Sequence, residues 1–140
     1  MAMESMATLN ANAATLLRKY GSRGATDVTG FGILGHAKNL AAAQVSNVDL
    51  VIKKLPVITN MAEHVESMPD FKVSAGYSAE TSGGIMAMLE ASKADDFIAE
   101  LEQDFGQKAW IIGEVTNGQK EARIAPDVEI LSLSDSFMLK

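Results

Sequence analysis

The chain has 140 residues, 47% hydrophobic and 21% charged, enough to bury the core of one domain, and this composition excludes a disordered tail. Its net charge of -6 excludes a broad nucleic-acid or anionic-membrane surface, because both need clustered Lys and Arg; only a local anion site remains open. With no cysteine, these residues supply no disulfide, no thiolate nucleophile and no Cys-based zinc or iron–sulfur site.

From Met3 to about Tyr20, the residues Met6, Leu9, Ala13, Leu16, Leu17 and Tyr20 recur at helical spacing, and Gly21, Ser22 and Gly24 stop the pattern. This predicts an amphipathic first helix. Asp27 through Gly32 is glycine-rich, after which Ile33, Leu34, Ala37, Leu40 and Ala41 mark one face of a helix reaching about Gln44. Val48, Leu50 and Ile52 alternate with Asp49, Val51 and Lys53 as in a strand, and Leu55-Pro56 is expected to break it before a short helix over Ile58 to Met68.

Pro69 to Ser82 is expected to be mostly loop, delivering the chain into Glu80-Thr81-Ser82-Gly83-Gly84. Ile85 to Leu89 has the length of a strand, and Ser92 with Asp95 three residues on predicts a helix opened by a capping box. Ala94, Phe97, Ile98, Leu101 and Phe105 form the buried stripe of that helix. Trp110 to Thr116, Asn117-Gly118 and Gln119 to Ala125 predict a β-hairpin closed by a type I′ turn. The interleaving predicts an α+β fold with helices packed on a mixed or antiparallel sheet. No apolar run approaches the roughly 18 to 20 residues of a membrane span, and Glu4 without a basic region is not a signal peptide; a soluble, cytoplasmic protein is expected.

The chemistry concentrates in Ala25-Thr26-Asp27-Val28-Thr29-Gly30-Phe31-Gly32-Ile33-Leu34-Gly35-His36, which runs from an extended segment into a helix. A hard cation such as Mg²⁺ binds through one or two carboxylates plus phosphate oxygens and water, so Asp27 can form half of such a site. The alternative is that Asp27 caps the helix or a turn. Thr26, Thr29, Gly30, Gly32 and Gly35 can bring hydroxyls and backbone N–H groups to a phosphate, or the glycines can serve only positive φ and close packing. Glu80-Thr81-Ser82-Gly83-Gly84 is a second such segment, equally readable as a turn feeding a strand. His36 and His64 read as structural histidines, and the eight methionines as core filling. No Ser-His-Asp arrangement, Walker A lysine or His-rich cluster is present, so in phosphoryl chemistry this chain brings one wall of a site.

Residues 25–36 closely resemble the signature of the C-terminal domain of selenophosphate synthetase (selenide, water dikinase). Met6-Ala7-Thr8-Leu9-Asn10, Glu80-Thr81-Ser82-Gly83-Gly84 and Ala109-Trp110-Ile111-Ile112-Gly113 match the same family in the same order, closest to its eukaryotic branch. The resemblance implies a layered α/β domain, shared with aminoimidazole ribonucleotide synthetase and partly ferredoxin-like. It implies an enzyme making selenophosphate from selenide, ATP and water, with AMP and orthophosphate released. Asp27 then matches the C-terminal-domain aspartate that ligates Mg²⁺ in the ATP site, with Thr26, Thr29, Gly30 and Gly32 on its phosphate side. The other metal-binding aspartates, the essential lysine and the active-site cysteine or selenocysteine belong to an N-terminal domain outside these 140 residues. The resemblance thus implies the C-terminal half of a homodimeric enzyme, inactive alone, with that N-terminal domain as its partner. The alternative is a non-catalytic paralogue or stand-alone binding module.

Overall fold

The structure, a computed structural model, describes residues 6–59, 75–77 and 83–133. Within them lie helices α1 (Ala11–Lys19), α2 (Gly32–Ala42) and α3 (Ala91–Phe105). The strands are β1 (Gly24–Val28), β2 (Val48–Ile58), β3 (Gly84–Met88), β4 (Gly113–Asn117) and β5 (Ala122–Leu133). The architecture is the expected layered α+β fold. From β1 to β4 the order is the β-α-β-β-α-β of a ferredoxin-like unit, but the pairing divides the strands between two sheets. β1 and β3 form an antiparallel pair, and the second sheet has the order β4-β2-β5.

Pleat alternation makes the β1–β3 ribbon a partition between two apolar clusters. Met86 and Met88 on one face join Leu34, Ala37, Leu40 and Ala41 of α2 and Leu50, Ile52, Leu55 and Val57 of β2. Ile85 and Ala87 on the other face pack against Leu16 and Leu17 of α1 and Phe97 and Leu101 of α3. α2 spans both sheets, touching β1, β2 and β5, and so ties the partition to the larger sheet.

The first helix does not run unbroken through its apolar pattern: Met6 and Ala7 are helical, and residues 8–10 interrupt it. α1 begins after Asn10, Leu9 is 75% exposed, and the predicted start at Met3 lies outside the described residues. Asn10 favours the flanking position because its side chain competes for backbone groups inside a helix. α3 opens two residues before the predicted box: Glu90, not Ser92, is the N-cap, without a side-chain cap bond, and Ser92 lies inside the helix. The Glu90 carboxylate turns instead to Lys93 (3.1 Å) and Arg23 (3.2 Å), which hold it below the usual carboxylate range.

Pro56 does not end β2, which runs on to Ile58 beside β5. β4 pairs only with Val48 to Ile52, so Pro56 sits where that side of β2 has no strand partner among the described residues and its missing N–H breaks no ladder bond there. The helix expected over Ile58 to Met68 and most of the loop to Ser82 lie outside the described residues, apart from Ile58 and Thr59, the end of β2 and the residue after it, and 75–77.

The predicted hairpin is not formed. β4 pairs antiparallel with β2, β2 pairs parallel with β5, and β2 therefore lies between the two supposed hairpin partners. Strands two spacings apart stand about 10 Å from one another, beyond the reach of a two-residue turn. The longer connection is built on Asp49 instead. Its Oδ1 accepts the N–H groups of Gln119 (2.7 Å) and Glu121 (3.0 Å), and its Oδ2 accepts from Arg123 (3.1 Å). These backbone donors first, with Arg123 behind them, pull the Asp49 carboxyl below its ordinary value. A Cβ on Gly118 would lie inside that carboxyl group, so Asn117-Gly118 is a turn signal whose glycine serves close approach.

Candidate functional site

Asp27 is the penultimate residue of β1 and is exposed. The N-cap of α2 is Phe31, without a side-chain bond, so the alternative of Asp27 as a helix cap does not occur. Its carboxylate makes no hydrogen bond or ion pair among the described residues, which also contain no cluster of three metal-ligating side chains. By the pleat, Asp27 shares a face with Ile85, while Thr26 lies on the opposite face with Met86, its hydroxyl on the Asp27 carbonyl at 3.0 Å. The structure thus separates the side chains of Thr26 and Asp27.

Past Val28 the chain turns tightly: the Gly32 N–H donates to the Thr29 carbonyl at 2.9 Å, and Gly32 takes φ +70°, a left-handed value that suits glycine. The Gly32 amide is spent inside this turn. The Thr29 amide is also spent, donating to His36 Nε2 at 2.9 Å, and the Thr29 hydroxyl lies 3.1 Å from the same nitrogen. The Leu34 N–H in the first turn of α2 donates to the Gly76 carbonyl at 2.8 Å. Gly30 differs from its neighbours. It is exposed, its amide has no partner among the described residues, and nothing lies within 4 Å of where its Cβ would be.

The two glycine-rich segments, far apart in sequence, meet here. Val28 is in register with Gly84, and the Gly83 N–H donates to the Val28 carbonyl at 3.1 Å. Gly83 and Gly84 also face open space on their missing-side-chain sides. Glu80, Thr81 and Ser82 lie outside the described residues. Asp27, Gly30, Gly83 and Gly84 therefore line one backbone-walled, open end of the β1–β3 ribbon. A free carboxylate beside approachable backbone can receive a cation together with the oxygens that cation carries.

Sequence reasoning passed over Phe31, 67% exposed between Gly30 and Gly32 at the rim of this end. An aromatic residue flanked by two glycines was the available signal. An apolar cavity of about 810 Å³ lies behind the site, between β2, β3 and α3; Val28, Gly83 and Gly84 border it, and Asp27 does not.

The chain matches the family described as "AIR synthase related protein, C-terminal domain" over residues 2–125, and it belongs to that family. Among curated proteins, it is 45% identical over 138 residues to a "Probable selenide, water dikinase" of Caenorhabditis elegans, covering 93% of this chain and 36% of that protein. It is 42% identical to "Selenide, water dikinase 2" of Mus musculus, covering 94% of this chain and 30% of that protein. The "Selenide, water dikinase" of Trypanosoma brucei is 43% identical over 126 residues, covering 89% of this chain and 32% of that protein. The chain thus spans about a third of the length of these relatives. No helix among the described residues is long and apolar enough to cross a membrane.

Proposed function

We propose that this chain is the C-terminal domain of a selenide, water dikinase, contributing one wall of its Mg-ATP site. The observation that carries this reading is the unpaired, exposed Asp27 carboxylate set against the open backbone of Gly30, Gly83 and Gly84, in a chain 42–45% identical to proteins named for that activity. Mg²⁺ takes hard oxygen donors and is usually held by one or two carboxylates together with phosphate and water. Asp27 fits as one such donor, and the remainder must come from elsewhere because no described cluster completes the set. When bound, the cation neutralises phosphate charge and orients the leaving group. Asp27 supplies the protein ligand on this side, the Gly30 amide a donor for a phosphate oxygen, and the Thr29 hydroxyl a second. The Gly32 amide and the Thr26 hydroxyl act indirectly, by setting the turn and the strand end.

An N-terminal domain of the same chain supplies the rest of the site, and the intact protein works as a cytoplasmic homodimer on selenide and ATP. Without cysteine, the 140 residues hold no sulfur nucleophile, so they are inactive alone. The test is selenide-dependent AMP formation by the full-length enzyme, by its Asp27→Asn variant and by the 140-residue chain. The expected order is active, strongly impaired and inactive. Turnover by the 140 residues alone, or unimpaired Asp27→Asn, would refute the half-site. An inactive full-length protein would favour the alternative of a non-catalytic binding module.

A further inference from the structure

The proposed site leaves His36 unexplained. It is a polar side chain 7% exposed in a helix whose other buried side chains, Leu34, Ala37, Leu40 and Ala41, are all apolar. A buried imidazole costs stability unless its nitrogens are satisfied, and an apolar residue would fill this position at lower cost. What its ring does is reach back across the turn to Thr29, two residues beyond Asp27. The Thr29 backbone N–H can only donate, so the Nε2 it meets must offer its lone pair, and the neutral ring carries its proton on Nδ1.

That geometry has a second consequence. Nε2 has a single lone pair, and the fixed backbone donor at 2.9 Å uses it, while the Thr29 hydroxyl at 3.1 Å is free to rotate. The hydroxyl hydrogen is thereby left free to serve an acceptor other than Nε2. Phe31 covers the ring, its centroid 5.6 Å from that of His36, and Gly35 lets it lie close, since a Cβ there would fall 2.8 Å from Phe31 Cβ.

We infer that His36 is a positioning residue for the anion-facing turn: its Nε2 holds the Thr29 amide inward, which aims the Thr29 hydroxyl and the Gly30 amide outward and fixes the end of β1 that carries Asp27. This rests on the reading of Asp27 as a Mg-ATP ligand. His36 touches neither metal nor nucleotide; it acts through Thr29.

The test uses the ¹⁵N-labelled full-length protein with millimolar Mn²⁺–ATP as probe, read by paramagnetic broadening of the Gly30, Gly83 and Gly84 amides. His36→Phe keeps the ring volume without an acceptor, and His36→Gln restores an acceptor near the Nε2 position. His36→Phe is expected to need about tenfold more probe for equal broadening, the usual cost of losing a group that orients a ligand. His36→Gln is expected to recover most of that loss, which a purely packing role would not produce. Broadening lost in Asp27→Asn but intact in His36→Phe would overturn the positioning role and leave the site standing. No broadening in the unsubstituted full-length protein, or none lost in its Asp27→Asn variant, would overturn the site and this inference with it. Should His36→Phe fail to fold, the imidazole ¹⁵N shifts of the unsubstituted chain decide: unprotonated Nε2 with Nδ1–H supports the assignment, and an Nε2 proton overturns it.

Discussion

The two sheets of this domain treat their polar groups in opposite ways. In the β4-β2-β5 sheet, Asp49 is saturated by Gln119, Glu121 and Arg123, and Lys53 and Lys54 pair with Glu114 and Glu129 across neighbouring strands. At the end of the β1–β3 ribbon, Asp27 has no partner among the described residues and three glycines expose their backbone. Both regions carry a carboxylate beside backbone N–H groups. In one the donors are already on the carboxylate, so it builds structure; in the other the Asp27 carboxylate and the Gly30 amide are both exposed and without a partner among the described residues, so a third species can take them up.

The sharpest way to break this contrast is to neutralise each carboxylate and read both activity and stability. In the full-length enzyme, Asp27→Asn is expected to lower selenide-dependent AMP formation about 100-fold or more, because a lost cation ligand acts on the transition state directly. In the 140-residue chain the same change should move the melting temperature by no more than about 2 °C, since no partner among the described residues is lost. A large fall in melting temperature with little loss of activity would reverse the assignment of the two regions.

Asp49→Ala is the mirror experiment. It strands two backbone donors and an arginine, and should lower the melting temperature by roughly 5–10 °C. The pH dependence has a definite sign. The folded-state pKa of Asp49 is depressed, so its contribution is complete above the unfolded carboxylate value and is lost as pH falls from about 4 through the folded value. Thermal melts between pH 2 and 6 should therefore be less steep in Asp49→Asn than in the unsubstituted chain. Equal slopes would remove Asp49 as the group responsible.

Much of this contrast could be read from the residues, and the failures have local causes. The periodicity of Leu34, Ala37, Leu40 and Ala41 located α2 because a helix with one buried face leaves that imprint. The glycine-rich run marked the β1–α2 turn for the same kind of reason, since Gly32 adopts a φ that other residues avoid. Asn117-Gly118 marked the end of β4 but not a type I′ turn, since Asn117 is still in the strand and the positive φ of this connection falls on Lys120; the insertion of β2 between β4 and β5 depends on pairing over a long sequence separation that local turn chemistry does not carry. The separation of Thr26 from Asp27 was legible in principle from β alternation, once that segment is taken as strand to Val28. The meeting of Val28 with Gly83 and Gly84 was not, as only the β1–β3 register brings them together.

On the α1–α3 side, Tyr20 donates its hydroxyl to Glu100 at 2.7 Å, and Lys19 meets the same carboxylate. The hydrogen bond to Glu100, then burial, then the Glu100 charge push the Tyr20 phenol up to about 12. Ultraviolet titration should show this tyrosine ionising well above the ordinary value of about 10, with the stability it contributes intact below that pH and lost as pH rises toward 12. Tyr20→Phe should cost only a few degrees in melting temperature, about 2–4 °C, because the ring still packs edge-on against Phe97 at 5.7 Å. A loss as large as that of Asp49→Ala would mean that this tie, and not the β4–β5 connection, is the stronger polar fastening.

The smallest effect expected is at Lys53, and it bounds the comparison from below. Its ion pair with Glu114 at 2.8 Å falls within the range of the Asp49 contacts, but both side chains are 50% exposed. Solvent screening and the entropy of ordering two long side chains leave such pairs worth about 0.2–1 kcal/mol. Lys53→Ala should therefore shift the melting temperature by no more than about 2 °C, and the shift should shrink further as salt is raised to 0.5 M, roughly a 4 Å screening length. A shift of Asp49 size that persists in salt would mean that the sheet draws its strength from surface charge. The expected result instead separates two kinds of polar contact that distance alone makes look alike, and places the fastening of this sheet on the buried carboxylate whose first donors are backbone groups.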